Sequence, residues 1–130
     1  MHYLDYNEQI QHRTGDFPLA WYPVDVHHER YRMPMHWHRE TELIHVRSGR
    51  LSLYIDDREV VAEAGDLAMI AEGVIHGGDP VACVYDCIVF DTTLLLSVEA
   101  CKRGLKSLLS HSLFLSRADI GADPAFAVAV

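Results

Sequence analysis

The chain has 130 residues, enough for one domain with a buried core, and its 49% apolar and 23% charged residues are the mix of an ordinary globular protein. A net charge of −8 excludes this segment from gripping a phosphate backbone, which needs clustered Lys and Arg. No apolar run approaches the roughly 18 residues that span a bilayer, and the opening MHYLDYNEQIQHRTGD lacks the apolar core of a signal peptide, so a cytoplasmic protein with no membrane partner is expected.

Residues 1–20 are polar and irregular, and Ala20-Trp21-Tyr22-Pro23-Val24 hints at a first short strand. From Glu42 the pattern sharpens: ELIHVR (42–47) reads as a strand, Ser48-Gly49 as a turn and LSLYI (51–55) as strict alternation. Asp56-Asp57 turns the chain into EVVA (59–62), Gly65-Asp66 turns it into LAMIA (67–71), and Glu72-Gly73 breaks it again. Residues 83–90 form the last clear strand. Short strands with turn signals every eight to twelve residues imply an antiparallel sandwich or barrel. Cys83 and Cys87 lie four apart on one face of that last strand; with Cys101 the count is odd, and buried free thiols are expected, not a disulfide. A zinc knuckle would need a second close pair of cysteines, which the sequence lacks.

After Asp91 the texture changes. Leu94, Val98, Cys101 and Leu105 recur at steps of four, three and four, one face of a helix, and Leu108, Leu109 and Leu113 continue the stripe. Asp91, Thr92 or Thr93 can cap its start, and Gly104 can interrupt it. The expected organisation is a β-barrel over residues 1–91 followed by a helical segment over 92–130. Asp123-Pro124 is a good start for another helix, and one cut in its second turn predicts a truncated chain.

The residues that carry chemistry are concentrated in HWHRETE, 36–42. On an extended strand His36 and His38 point the same way, and Glu42 follows four residues later. With Gly49, Gly65, Gly73 and His76 downstream, the arrangement resembles the two sequence motifs of the cupin superfamily, whose fold is a small double-sheet jelly-roll barrel. In that family two histidines and a glutamate of the first motif and a histidine of the second converge on one metal ion, which implies His36, His38, Glu42 and His76 here. Burying such a carboxylate is costly unless a cation or hydrogen-bond donors compensate it. Three imidazoles and a carboxylate suit Zn, Ni, Fe, Mn or Cu, with positions left open. A hydrogen-bonded polar cluster that holds a small ligand without a metal is the plainer alternative. The sequence departs from the motifs at Arg30, where a glycine is usual, at Ala71, where a proline is usual, and at Pro80, where an asparagine is usual. His27, His28 and His45 read as surface or satisfied histidines.

A second resemblance is narrower. RYRMPMHWHRETELIHVRSG followed by GDLAMIAEGVIHGG is similar to the N-terminal sensor domain of AraC/XylS-family bacterial transcription regulators. The resemblance implies a small-molecule effector, often a sugar, in the barrel, helices after the barrel that make a homodimer, and DNA binding through a separate C-terminal helix-turn-helix domain. The expected pocket is His36, His38, Glu40, Glu42, His76 and Tyr85, polar enough for a hydroxylated or anionic metabolite. Trp37 and Tyr54 are expected outside the barrel or at its rim. The competing class is a stand-alone metal-dependent cupin enzyme, a dioxygenase or sugar isomerase, which needs an acid or base near the metal. Glu40 and Tyr85 are the candidates, and neither stands out. A third reading is a dimerisation module with no ligand. The cut helix favours the sensor over the enzyme, with the helices of 93–115 packing on the barrel and supporting the dimer.

Overall fold

Two long antiparallel strands organise the chain; the strands before and between them pair with one of the two, and the last short strand pairs with one of those. The computed structural model describes residues 19–92 and 110–122. In chain order the elements are β1 (Leu19–Val24), β2 (Met33–His36), β3 (Thr41–Ile55), β4 (Arg58–Glu63), β5 (Leu67–Ile70), β6 (His76–Phe90), β7 (Leu113–Leu115) and a short helix, α1 (Arg117–Ala122). The central pair is β3 and β6, in register from Thr41 against Phe90 to Ile55 against His76.

Each long strand serves two different neighbourhoods. The first half of β3 pairs with β5, with Glu42 against Ile70, and its second half pairs with β4, with Leu53 against Val60. Likewise β1 pairs with the last part of β6 and β2 with its beginning. The register shifts between Val46 and Arg50, where the two halves meet. Glu42, Ile44 and Val46 are buried before the shift, and Leu51, Leu53 and Ile55 after it. A strict period of two would put one of these sets on the wrong face, so the irregularity keeps both sets inward. Ile44, Val46, Leu51, Leu53 and Ile55 form the core with Ala62, Ala68, Ile70, Cys83, Tyr85 and Cys87.

Ser48-Gly49, expected as a turn, is therefore an irregularity inside one continuous strand. Gly49 has φ +77°, and a Cβ there would stand 2.0 Å from the Ala82 carbonyl oxygen on β6. Local sequence cannot distinguish a glycine that reverses the chain from one that bends a strand against its neighbour. The last strand also begins earlier than expected, at His76 instead of residue 83, because Gly77, Gly78 and Pro80 disguise its first half.

The helical stripe of 93–115 is corrected at its end. Leu113–Leu115 is a strand that pairs with β5, Leu113 opposite Met69. Eight residues separate Leu105 from Leu113, a spacing that fits two helical turns and an even strand register equally well. The earlier part of the stripe, Leu94 to Leu109, and the Asp123-Pro124 helix start lie outside the described residues. A short helix follows, inside the stretch expected to be helical. Ser116 Oγ accepts from the Asp119 amide at 3.2 Å while Asp119 Oδ2 accepts from the Ser116 amide at 3.1 Å, a reciprocal cap that starts α1. Asp66 fixes this segment to the barrel, its Oδ1 accepting from the Arg117 amide at 2.7 Å.

Gly49→Ala tests the strand irregularity. Positive φ alone costs about 1–3 kcal/mol, and the overlap with Ala82 adds to it, so the urea midpoint is expected to fall clearly. A midpoint equal to wild type would show that the two strands do not approach this closely.

A buried histidine and glutamate cluster

The folding-over of the long strands brings together side chains that share no ladder. His76 opens β6 opposite Ile55, in one half of the fold, whereas Glu42 stands opposite Ile70 and Val89 in the other. Their side chains nevertheless meet across the interior, His76 Nε2 to Glu42 Oε2 at 2.7 Å. His36 is the direct cross-strand partner of His76, and their rings lie 4.3 Å apart between centroids. His38 follows β2 and is held by its own carbonyl, which accepts from the Gly73 amide at 2.8 Å. One ligand atom from each of His36, His38, Glu42 and His76 lies within 4.8 Å of those of the others, and all four residues are buried.

The three imidazoles are oriented alike. His36 Nδ1 meets the Pro34 carbonyl at 2.7 Å, His38 Nδ1 the Glu40 carbonyl at 2.9 Å, and His76 Nδ1 the Val74 carbonyl at 2.8 Å. A carbonyl only accepts, so each Nδ1 carries a proton and each ring turns its Nε2 away from that carbonyl. This is the arrangement by which outer partners fix the tautomer of a metal-binding histidine. At His76 it has a sharp consequence. A neutral ring with its proton on Nδ1 would set two acceptors 2.7 Å apart, so a second proton or a cation must lie between Nε2 and Glu42. This donor set fits a divalent cation.

Burial acts to raise the Glu42 pKa, but the contacts with His38 and His76 outweigh it and hold the carboxyl well below the usual carboxylate range. The carboxylate is ionised inside the protein because imidazoles surround it. His38 Nε2 stands 3.8 Å from Glu42 Oε2, farther than a hydrogen bond and close enough for charge attraction.

A cavity of about 180 Å³ opens beside the cluster, lined by His36 and Glu42, by apolar and aromatic groups including Tyr22, Val24, Met33 and Val89, and by three residues of one loop, His28, Glu29 and Arg30. It is smaller than the roughly 300 Å³ at which drug-sized sites begin, so a ligand here is compact. Of the expected pocket residues, His36, Glu42 and Tyr85 line this cavity and His38 and His76 stand in the adjoining cluster. Glu40 does not line the cavity; its backbone carbonyl orients His38. Tyr85 lines it, but its hydroxyl is committed, donating to the Tyr31 carbonyl at 2.8 Å. Trp37 is 9% exposed and belongs to the interior, contrary to the rim position expected. Tyr54 is on the outer side, with its hydroxyl 3.4 Å from Asp79 Oδ2. His28 is satisfied as expected, its Nδ1 accepting from the Arg30 amide at 3.0 Å, and it also lines the cavity; no sequence motif marks that, because loop 25–32 reaches the site through tertiary contacts.

Residues 18–112 match the model of the AraC-like ligand binding domain. The chain belongs to that family. It is 27% identical over 99 residues to "Uncharacterized HTH-type transcriptional regulator YdeC" of Bacillus subtilis (strain 168), a match over 71% of this chain and 33% of the relative, so the chain spans about a third of that relative's length. Among solved structures, an RmlC-like cupin from Shewanella frigidimarina NCIMB 400 superposes with TM-score 0.52 at 18% identity, over 58% of this chain and 68% of that one. A variant of the Bacillus subtilis oxalate decarboxylase OxdC gives TM-score 0.49 at 20% identity, over 58% of this chain and 22% of the other. The fold of this AraC-like domain is thus the mainly β cupin barrel expected from the two motifs. Among the described residues no helix is long and apolar enough to cross a membrane.

The depressed Glu42 pKa sets a pH dependence. A carboxyl whose folded pKa lies below its unfolded one stabilises the fold above the unfolded value and loses that contribution as pH falls through the folded value. Wild type is expected to lose stability from about pH 5 downward, and Glu42→Gln, less stable at neutral pH, to lose less over the same range. Parallel urea-midpoint curves for the two proteins would contradict this.

Proposed function

We propose that this chain is the effector-sensing domain of an AraC-type transcription regulator, binding a small polar molecule beside a divalent metal held by His36, His38, Glu42 and His76. The observation that carries the reading is the Nε2-to-carboxylate contact of His76 and Glu42 next to a compact cavity, in a chain of the AraC-like ligand-binding family. Three buried histidines and one ionised carboxylate, with ligand atoms within 4.8 Å of one another, support Zn, Ni, Fe or Mn as the ion. When bound, the metal supplies positive charge and vacant positions to oxygen atoms of a ligand. His36 and Glu42 belong to both cluster and cavity, so they put any occupant of the cavity in contact with the cluster.

The regulator role is supported by the relative's name as an HTH-type transcriptional regulator and by the fraction of it that this chain spans. DNA contact then belongs to another domain, in keeping with the −8 charge of this one. The domain works in the cytoplasm and as a homodimer in this reading. The enzyme alternative is disfavoured by where its two acid-base candidates stand. Tyr85 uses its hydroxyl on loop carbonyls, and Glu40 is outside the cavity lining.

Two measurements test the proposal. Metal analysis after incubation with Zn or Ni is expected to find one ion per chain, with affinity reduced at least about tenfold in Glu42→Gln and in His76→Ala, since even outer partners of metal ligands are worth that much. An empty wild-type site removes the metal from the reading. In gel-shift assays these 130 residues are expected to retain no DNA at moderate salt. Sequence-specific retention would overturn the division of labour between domains.

A further inference from the structure

The barrel has a second apolar surface, on the side of the sheet turned away from the cluster. Side chains alternate along a strand, and on β3 Glu42, Ile44 and Val46 point inward, so Thr41 and Leu43 point outward. The ladders align outward residues of five strands in one row: Trp21 opposite Ile88, Ile88 opposite Leu43, Leu43 opposite Met69, and Met69 opposite Leu113. A second row beside it runs through Leu19, Phe90 and Thr41. No member of either row is ionisable. Charge begins one row further on, where Asp86 accepts from Trp21 Nε1 at 3.0 Å and from Arg47 Nε at 2.6 Å.

Exposure changes steeply across this surface. At the β1 end Trp21 is 55% and Leu19 42% exposed, whereas in the middle Thr41 is 0% and Met69 8% exposed. Met69 and Thr41 are not members of the core cluster, and neighbours in the same sheet flank a side chain without capping it. Thr41 Oγ1 is buried and finds no hydrogen-bond partner among the described residues, so a polar group packed over it would satisfy it.

The path of the chain says what lies over the middle. Residues 93–109 leave after Thr92, whose Oγ1 donates to Glu72 Oε2 at 3.1 Å. They return before Ser112, whose Oγ accepts from the Ala71 amide at 3.0 Å. Departure and return are therefore tied to adjacent residues just past β5. Even fully helical, this segment totals about 25 Å, so out and back it reaches about half of that, or roughly two to three strand spacings. Such a reach takes in β5, β3 and β6 and stops short of Trp21 and Leu19. The segment carries the matching apolar face in Leu94, Val98, Cys101 and Leu105, continued by Leu108 and Leu109. The other stretch outside the described residues, 1–18, joins the sheet at Leu19, at the end that stays exposed.

We propose that residues 93–109 dock on the outward face of β5, β3 and β6, with their leucine stripe against Met69, Leu43 and Ile88. The stripe is then used on the chain's own barrel and not in pairing with a second copy. This surface backs directly onto the cluster and the cavity, since Leu43 adjoins Glu42 and Ile88 lies between Cys87 and Val89. The inference goes beyond the reading of the chain as a sensor and holds with or without a metal in the cluster.

Cys101, in the middle of the stripe, allows a test in the unaltered chain. Its alkylation by iodoacetamide, followed by peptide mass spectrometry, is expected to be roughly tenfold or more slower in the native protein than in urea. The protection is expected to be the same in dilute and in concentrated solution. Alkylation as fast in the native protein as in urea overturns the inference, and protection lost on dilution overturns it in favour of a second copy. Introduced cysteines then locate the contact. Under mild oxidation at least one of Leu43→Cys, Met69→Cys and Ile88→Cys is expected to form a disulfide with Cys101 within one chain. Val61→Cys, exposed on the β3–β4 hairpin, is expected to form none. Pairing in none of the three, pairing of Val61→Cys as readily as these, or a disulfide between two copies overturns the inference.

Discussion

An ionised carboxylate in the interior constrains everything around it. Glu42 is 5% exposed, and an unpaired charge at that depth would cost several kcal/mol. The chain meets this demand with histidines delivered from two other places, His38 after β2 and His76 at the start of β6. Since Glu42 and His76 lie in opposite halves of the fold, satisfying the charge requires the long strands to be bent over, with Gly49 set closely against Ala82 at the junction. The strand irregularity and the polar cluster are two sides of one requirement.

Orientation of the imidazoles, by contrast, is a local matter. Each Nδ1 meets a carbonyl two residues away in its own segment: Pro34 for His36, Glu40 for His38, Val74 for His76. The tautomers are thus set by short-range backbone geometry, and the tertiary fold has only to bring prepared rings together. Preparing the ring locally and placing it globally limits the conformational entropy lost when the site assembles.

That division explains what could be read in the sequence. The turns at Asp56, Gly65 and Gly73 fell where expected and bracketed β4 and β5, and the motif spacing named four residues that do converge. Contacts between distant segments were harder to see. Gly49 signals a special backbone without saying whether it turns or bends. Leu113 satisfied a helical spacing but found an open strand edge at β5, and pairing with an edge outweighs a marginal periodicity. The reciprocal cap between Ser116 and Asp119 starts α1 within the stretch expected to be helical. His28 carried no signal and Arg30 stood out only as a departure from the motif, since what makes them cavity residues is the attachment of loop 25–32 by Tyr85 and Tyr31.

That attachment and the cluster respond differently to protons. Burial pushes the Tyr85 hydroxyl well above its ordinary pKa, so it stays a donor through the whole physiological range, and a phenolate would repel the two carbonyls it holds. Cys83 is pushed up to about 11 and Cys87 upward as well, so neither thiol brings charge to the interior. Loop 25–32 is therefore anchored by groups that remain neutral, whereas the contact between Glu42 and His76 depends on a proton or a cation. A change at the cluster alters the electrostatics of the cavity while the Tyr85 hydroxyl goes on holding the loop. The cavity can then keep its shape through a change of charge, which lets a ligand be recognised by chemistry on one side and by fit on the other.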